Sequence, residues 1–458
     1  MRNNLLFLMF AMSTLAFTQA DKSSCPANLS IFAEFAKVKN YDSAYQPWKE
    51  VLELCPELNV ATFKYGERIL EHKIENATAD KATYQQELLA LYDDWITYFP
   101  TTKRGESEVG KILSSKAQAI VDNNLGTTQQ AFDIFNKAFS QDPNSFTSPK
   151  NLYTFFKTAF NLYKEGNLST EELFNKYEDI SEKFELEQTN LAKKLDVVLN
   201  KEDSGQPLTS REQRNKRVYQ TNVLAFSTYA GNLDAIISKE SSCENLIPLY
   251  RKNFEENKSD SVWLNRAASR MDAKECSDDP LFVELVEALH AINPSANSAY
   301  YLGLLKDKAG DSQSALAYYE ESLTLETDQY RKATILYKIA VKFKTRGLLS
   351  KARSYANRAL KNQPSMGKAY MLIASMYASS ANDCGSTQFE KRAVYWLAAK
   401  MARRAAAVDS GVKKTALKLA ESYEGRAPSK TDIFTEGNAG QKVRFSCWIN
   451  DSITVPQL

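Results

Sequence analysis

The chain has 458 residues, 43% of them hydrophobic, enough to bury a large core as two or three domains or as one elongated array. Its 58 basic and 56 acidic side chains leave a formal net charge of +2, which supplies no broad field for nucleic acid or acidic lipid. Composition excludes a disordered chain and a strongly charged binder alike.

The first element in chain order is a leader. Met1-Arg2-Asn3-Asn4 precedes the apolar run LLFLMFAMSTLAF and then Thr18-Gln19-Ala20, the order of a secretory signal cut after Ala20. A membrane anchor needs about 20 apolar residues, and this run stops at 13. Lys22-Ser23-Ser24 lacks the apolar residue and small pair that precede a lipidated cysteine. No later segment is apolar for long enough to span a bilayer, so the expected product is exported, with no integral membrane segment after cleavage.

From Cys25 onward, apolar positions recur at helical spacing and end in proline. The set Ala44, Trp48, Val51 and Pro56 is followed by Leu88, Tyr92, Trp95 and Pro100, then by Ala131, Phe135, Ala138 and Pro143. Phe282, Val286, Leu289 and Pro294 repeat the spacing, as do Ala352, Ala356, Ala359 and Pro364. In each set the proline falls twelve residues after the first position. The middle of the chain differs. Phe184, Leu191, Leu195 and Val198 form one stripe, Lys201 to Thr209 reads as a polar loop, and Thr209 with Glu212 fits a capping box that restarts helix. This longer pair is either a divergent repeat or a hinge between two halves.

The best units lie between 296 and 409. Residues 299 to 326 run Leu302-Gly303, a turn at Gly310-Asp311, then Ala315, Tyr319 and Ser322, and Ala315 to Ala352 is 37 residues. Leu336, Ile339, Ala340 and Phe343 make an amphipathic helix stopped by Gly347. The alanines at 352, 356 and 359 then leave a narrow stripe of almost no side chain, against which a neighbouring helix can lie closely. Gly425 to Gly440 is rich in turn and polar residues, and KVRFSCWI and SITVP read as two short strands about Asn450-Asp451, a hairpin cap.

Leu-Gly on a first helix, then Ala, aromatic, Ala and a closing Pro on a second, resembles the tetratricopeptide repeat over most of residues 25 to 425. Insertions at 75 to 82, 122 to 128 and 379 to 391 break the period, and Trp is missing from the first signature position of the Ala299 and Leu336 helices. The segment TDIFTEGNAGQKVRFSCWIN resembles the tails of exported repeat proteins of Bacteroidota, which implies a Gram-negative periplasm. The implied fold is an all-α solenoid of degenerate helix hairpins with a short C-terminal β-hairpin. Its expected parts are a signal peptide (1–20), N-terminal repeats (21–200), C-terminal repeats (201–425) and a capping tail (426–458).

Repeat stacking also suggests the disulfides, since an exported, even set of cysteines favours pairing. Cys25 opens a first helix and Cys55 closes a second, ends that meet in an antiparallel hairpin. Cys243 starts one helix and Cys276 lies just before another that Pro280 begins. Cys384 in the late insertion and Cys447 in the tail would strap the tail down. The expected pairs are Cys25–Cys55, Cys243–Cys276 and Cys384–Cys447.

Catalytic groups do not assemble. His72 and His290 fall on separate helices, too few for a three-histidine zinc site, and cysteines committed to disulfides supply neither nucleophile nor metal ligand. Asp93-Asp94 and Glu171-Glu172 are adjacent on helices and diverge by about 100°, so neither doublet converges on one atom. Neither a phosphate loop, a nucleophile elbow nor a dinucleotide fingerprint occurs. The sequons headed by Asn28, Asn76, Asn167, Asn257 and Asn450 do not argue for a eukaryotic secretory route.

The resemblance implies a surface instead. First helices of such repeats line a concave face, and by register Tyr300, Leu304, Tyr337, Val341, Lys344 and Met371 project into it, unless they are inter-repeat core. The Lys and Asn pattern that clamps a terminal carboxylate in cytosolic relatives is absent. The expectation is a non-catalytic scaffold or adaptor for a protein or peptide partner, without cofactor, metal or nucleic acid, in cell-envelope assembly or secretion. A partner of an outer-membrane nutrient importer would differ only in the ligand. The rival is an exported helical-toroid enzyme acting on polysaccharide.

Overall fold

A computed structural model describes residues 22–458, so the leader expected at Met1–Ala20 lies outside the described residues. The chain divides into two compact units, one ending at Asn151 and the other running from Leu152 to Leu458.

The first unit stacks three helix hairpins: α1 (Cys25–Lys37) with α2 (Tyr41–Leu54), α3 (Ala61–Asn76) with α4 (Lys81–Tyr98), and α5 (Val109–Asn123) with α6 (Thr128–Gln141). The expected second-helix positions Ala44, Trp48 and Val51 are sealed in its core beside Phe63 and Tyr92. Trp48 is buried without leaving its indole N–H orphaned, because Nε1 donates to the Thr62 carbonyl at 2.7 Å. The interruption at 75 to 82 is the turn between α3 and α4, and Thr127 and Gln130 form a capping box that starts α6 after the next interruption.

The division falls in the first turn of α7 (Pro149–Lys164). In the second unit a long hairpin follows, α8 (Thr170–Asp203) and α9 (Ser210–Ile237). The capping box expected at Thr209 is present: Thr209 Oγ1 accepts from the Glu212 amide at 3.3 Å and Glu212 Oε2 accepts from the Thr209 amide at 2.7 Å. The polar loop is the turn of one hairpin whose two helices pack together within the second unit.

Stacked after it are α10 (Cys243–Asn257), α11 (Ser261–Ala273) with α12 (Pro280–Ile292), α13 (Ala296–Lys308) with α14 (Ser312–Leu325), α15 (Gln329–Thr345) with α16 (Leu349–Asn362), and α17 (Gly367–Ser379) with α18 (Gln388–Val408). The α13–α14 hairpin shows why its first helix carries glycine. A Cβ at Gly303 would stand 2.6 Å from the Tyr319 ring, so only the absence of a side chain lets the two helices touch there. Gly347 ends α15 at φ +71°, a left-handed conformation that leaves the turn open for α16. Ala352, Ala356 and Ala359 are each fully buried, as a docking seam requires.

The tail differs from its expectation in detail. After α19 (Lys413–Glu424), the polar segment folds as a short helix, α20 (Lys430–Glu436), because Ser429 and Asp432 form a capping box around its first turn. The strands are shorter than their apolar pattern, β1 (Lys442–Phe445) against β2 (Asp451–Thr454), antiparallel with Phe445 opposite Asp451. Trp448 and Ile449 leave the ladder to pack inward: the Trp448 ring lies 5.8 Å from Tyr377, its Nε1 donates to Ser380 at 2.9 Å, and Ile449 is fully buried. The three disulfides join Cys25 to Cys55, Cys243 to Cys276 and Cys384 to Cys447, with Cα separations of 6.6, 5.5 and 5.4 Å. Among the described residues no helix is long and apolar enough to cross a membrane.

Candidate functional site

In the second unit, α8 is tied by side chains to α11, to the residue that caps α15, to the loop before α17 and to the end of α18. Beginning at its N-terminal half, Glu178 accepts from Arg270 of α11 at 2.5 and 3.0 Å, while Asp179 and Glu182 accept from Arg266 at 2.8 to 3.0 Å. Further along, Lys193 pairs with Asp328 at 3.0 Å and sits over the Tyr330 ring, and Asp196 accepts from the Ser365 amide at 2.7 Å. Leu195 and Leu199 pack on Val408 with Tyr370, and Asp203 ends the helix against Arg404. Burial works against charge on Arg270, yet the Glu178 carboxylate and the Tyr177 hydroxyl outweigh it and hold the guanidinium above its usual range.

Between these anchors is a more open stretch. Lys368 of α17 stands over the Tyr337 ring at 4.7 Å and Lys338 over the Tyr300 ring at 5.4 Å. The Lys368 side chain reaches water, yet crowding by the surrounding protein, then Lys338, pushes its ammonium below its ordinary value against the pull of Glu185 on α8. Crowding likewise raises the Glu185 carboxyl, opposed by Lys338 and Lys368.

The six residues expected on this face separate into two groups. Tyr300 and Leu304 are each only 2% exposed and belong to the core between helices, with the Tyr300 ring 5.4 Å from Tyr301 and 6.0 Å from Tyr319. They are corrected to packing residues, because a position on the side of a first helix that meets its own partner helix is buried. Tyr337, Val341, Lys344 and Met371 are half-buried. Lys344 donates to Ser375 at 2.9 Å, and Met371 packs toward Ala405, Ala406 and Ala416. Register missed Glu185, Lys338 and Lys368. Their only trace in sequence is that α8 carries acids where α11, α15 and α17 carry bases.

The first unit holds a separate open groove of about 510 Å³ beside α3, α4 and α5, lined by Glu67, Glu71, Glu75, Asp122 and Gln118 together with Lys81 and Lys150. Tyr92 donates to Glu67 at 2.8 Å, Lys150 pairs with Asp122 at 2.7 Å, and Gln118 Nε2 donates to Asp122 at 2.8 Å. Glu71 is held above the usual carboxylate range by crowding, then by Glu67 and Asp122, with Lys150 and Arg68 opposing.

Neither doublet converges on a shared atom, although burial and then the Asp93 charge hold the Asp94 carboxyl above its usual range. Glu172 completes the capping box of α8 with Ser169, and Asp93 pairs with Lys116 at 2.6 Å. His72 faces Asp42 at 3.5 Å in the first unit, and His290 shares a hydrogen bond with Ser298 at 3.0 Å in the second. Among the described residues, no three His, Cys, Asp or Glu side chains converge as metal ligands.

This geometry defines a class: a solenoid of tetratricopeptide-like helix hairpins stapled by disulfides. No family model matches the chain. It is similar to the photosystem I assembly protein Ycf3 of Cuscuta gronovii, and to that of Cuscuta obtusiflora, each 29% identical over 111 residues. Those matches cover 22% of this chain and 66% of each relative, just under two thirds of their length. Among solved structures, a tetratricopeptide repeat protein from Parabacteroides merdae is 14% identical over 68% of this chain and 97% of its own, with a TM-score of 0.25. A human IFIT1 dimer with m7Gppp-AAAA is 14% identical over 90% and 98%, at a TM-score of 0.29. Yeast Tom70 is 12% identical over 91% and 92%, at 0.26. The class stands on the proline spacing, the Gly303–Tyr319 contact and the hairpin order of this chain.

Proposed function

We propose that this chain is an exported, non-catalytic scaffold that holds a protein or peptide partner in the periplasm, in cell-envelope assembly or secretion. One observation carries the reading: the half-buried Tyr337, Val341, Lys344 and Met371 lie on consecutive first helices, with Lys368 stacked on the Tyr337 ring. Aromatic, thioether and cationic side chains on a preformed helical face are the chemistry that anchors an extended partner segment. Three disulfides fit an oxidising compartment, and the leader pattern supplies the route to one.

A photoreactive amino acid placed at Tyr337 and activated in intact cells tests this directly. The expected result is a crosslink to a distinct envelope protein, reduced at least about tenfold by Lys344→Ala with Met371→Ala, an anchor loss on the order of 1.4 kcal/mol. Crosslinks confined to the chain's own α8 would show the face to be internally satisfied and would remove the scaffold reading.

A further inference from the structure

We infer that Asp196 is a proton-operated latch, which fastens the C-terminal half of α8 to the loop before α17 and closes more firmly in mildly acidic medium than at neutral pH. Asp196 is only 3% exposed, and its Oδ1 accepts from the Ser365 amide at 2.7 Å. Its Oδ2 is sealed from water with no hydrogen-bond partner, and so is the Ser365 hydroxyl oxygen. A buried acceptor without a donor is costly, and a buried charge without a counter-charge more so.

Among the described residues no cation offsets this carboxylate. On its own helix Lys193 is committed to Asp328, the cap of α15, at 3.0 Å, and Arg404 of α18 is committed to Asp203. From α15 the Tyr330 hydroxyl comes close to Asp196, while α9, α17 and α18 bring Tyr219, Tyr370 and Val408 against Leu195 and Leu199 on either side of it. Asp409, next to Val408, is held by the backbone amides of Gly411, Gly367 and Val412. Burial therefore raises the Asp196 carboxyl above its ordinary value, opposed by the Ser365 hydroxyl and amide and then by the Tyr330 hydroxyl.

A proton satisfies this site. Once protonated, Oδ2 becomes a donor, and Ser365 Oγ, otherwise unpartnered, is an acceptor close to it. The buried charge disappears while Oδ1 still accepts from the Ser365 amide. Because the folded chain holds this proton more tightly than the unfolded one, the stabilisation is complete below the ordinary carboxylate range and is lost as pH rises through the raised Asp196 value. The same helix carries Glu185 close to Lys338 and Lys368, so the latch couples acidity to how firmly that open stretch is held.

Hydrogen exchange of the full mature chain, read by mass spectrometry from about pH 5 to about pH 8 and corrected for intrinsic amide rates, tests the latch. Protection of residues 191–203 should fall at least about threefold as pH rises. Asp196→Asn keeps an acceptor for the Ser365 amide and puts a donor in place of Oδ2, so at neutral pH it should be as protected as the native chain is in acid, with no such fall. The Glu178 and Glu185 carboxyls are also raised by burial, but their effect belongs to residues 170–187 and should persist in Asp196→Asn. Native protection of residues 191–203 that is constant across the range, or that rises with pH, overturns the latch, as does a fall that persists undiminished in Asp196→Asn. The native profile alone can overturn it, so a misfolded variant leaves the test standing. The latch needs no partner, so this measurement and the Tyr337 crosslink fail independently.

Discussion

Tyr300 and Tyr337 carry the same side chain on consecutive first helices and meet different fates. Tyr300 is wedged among Tyr301, Tyr319 and the Lys338 ammonium, whereas Tyr337 keeps part of its ring in water beneath Lys368. Truncating the buried ring removes its transfer energy and leaves a cavity, so Tyr300→Ala should cost about 3 to 5 kcal/mol, against about 1 kcal/mol or less for Tyr337→Ala. Urea denaturation of the two variants makes the comparison, and equal midpoints would contradict the burial of Tyr300. The alanine seam gives the opposite test. Ala356 is fully buried against its neighbours, so Ala356→Leu overpacks the seam and should destabilise by about 1 to 3 kcal/mol. Register showed which residues sit on first helices, but which side of the helix meets its partner depends on packing between elements distant in sequence.

At the level of elements, α8 is the departure from a regular stack. Its apolar stripe is legible, with Leu195, Val198 and Leu199 all buried, and so is the capping box that starts α9. What the stripe packs against is not legible, because Arg270 lies 92 residues from Glu178 and Ser365 lies 169 from Asp196. The Glu178–Arg270 pair is well buried, with Arg270 also 4.0 Å over the Tyr177 ring. Removing one partner strands the other charge, so Glu178→Gln should cost about 3 to 5 kcal/mol, and Glu178→Met with Arg270→Met should recover a good part of it. Hydrogen exchange should rise across Thr170–Asp203 in the single variant while α13 to α16 keep their protection. Unchanged exchange in α8 would mean that the apolar stripe alone holds it.

For the whole molecule, the disulfides divide between the two units: Cys25–Cys55 in the first, Cys243–Cys276 and Cys384–Cys447 in the second. The last closes 63 residues, a loop whose entropy alone corresponds to about 4 kcal/mol. Replacing both of its cysteines with serine should therefore lower the stability of the second unit by about 2 to 4 kcal/mol. The first unit's exchange protection should be unaffected. Deleting residues 426–458 in a Cys384→Ser background should lower the melting temperature further, since Phe445, Ile449 and Val455 are all buried, yet keep the helical circular dichroism. An unchanged melting temperature would show that the tail caps nothing.

Local chemistry decided the hairpins. Proline spacing, capping boxes, Gly303, Gly347 and the alanine seam act within a few tens of residues, and the Cys25–Cys55 and Cys243–Cys276 pairs followed from them because hairpin ends must meet, which left Cys384 for Cys447. Short-range signals missed α20, where a seven-residue helix has too little apolar pattern to stand out, and overextended the strands, where Trp448 and Ile449 pack inward instead of pairing. Tertiary structure alone decided that α8 meets α11 and the end of α18, that Tyr300 and Leu304 are core, and that Glu71 and Gln118 line one groove. Each depends on groups from elements far apart in the chain, so no local spacing encodes it.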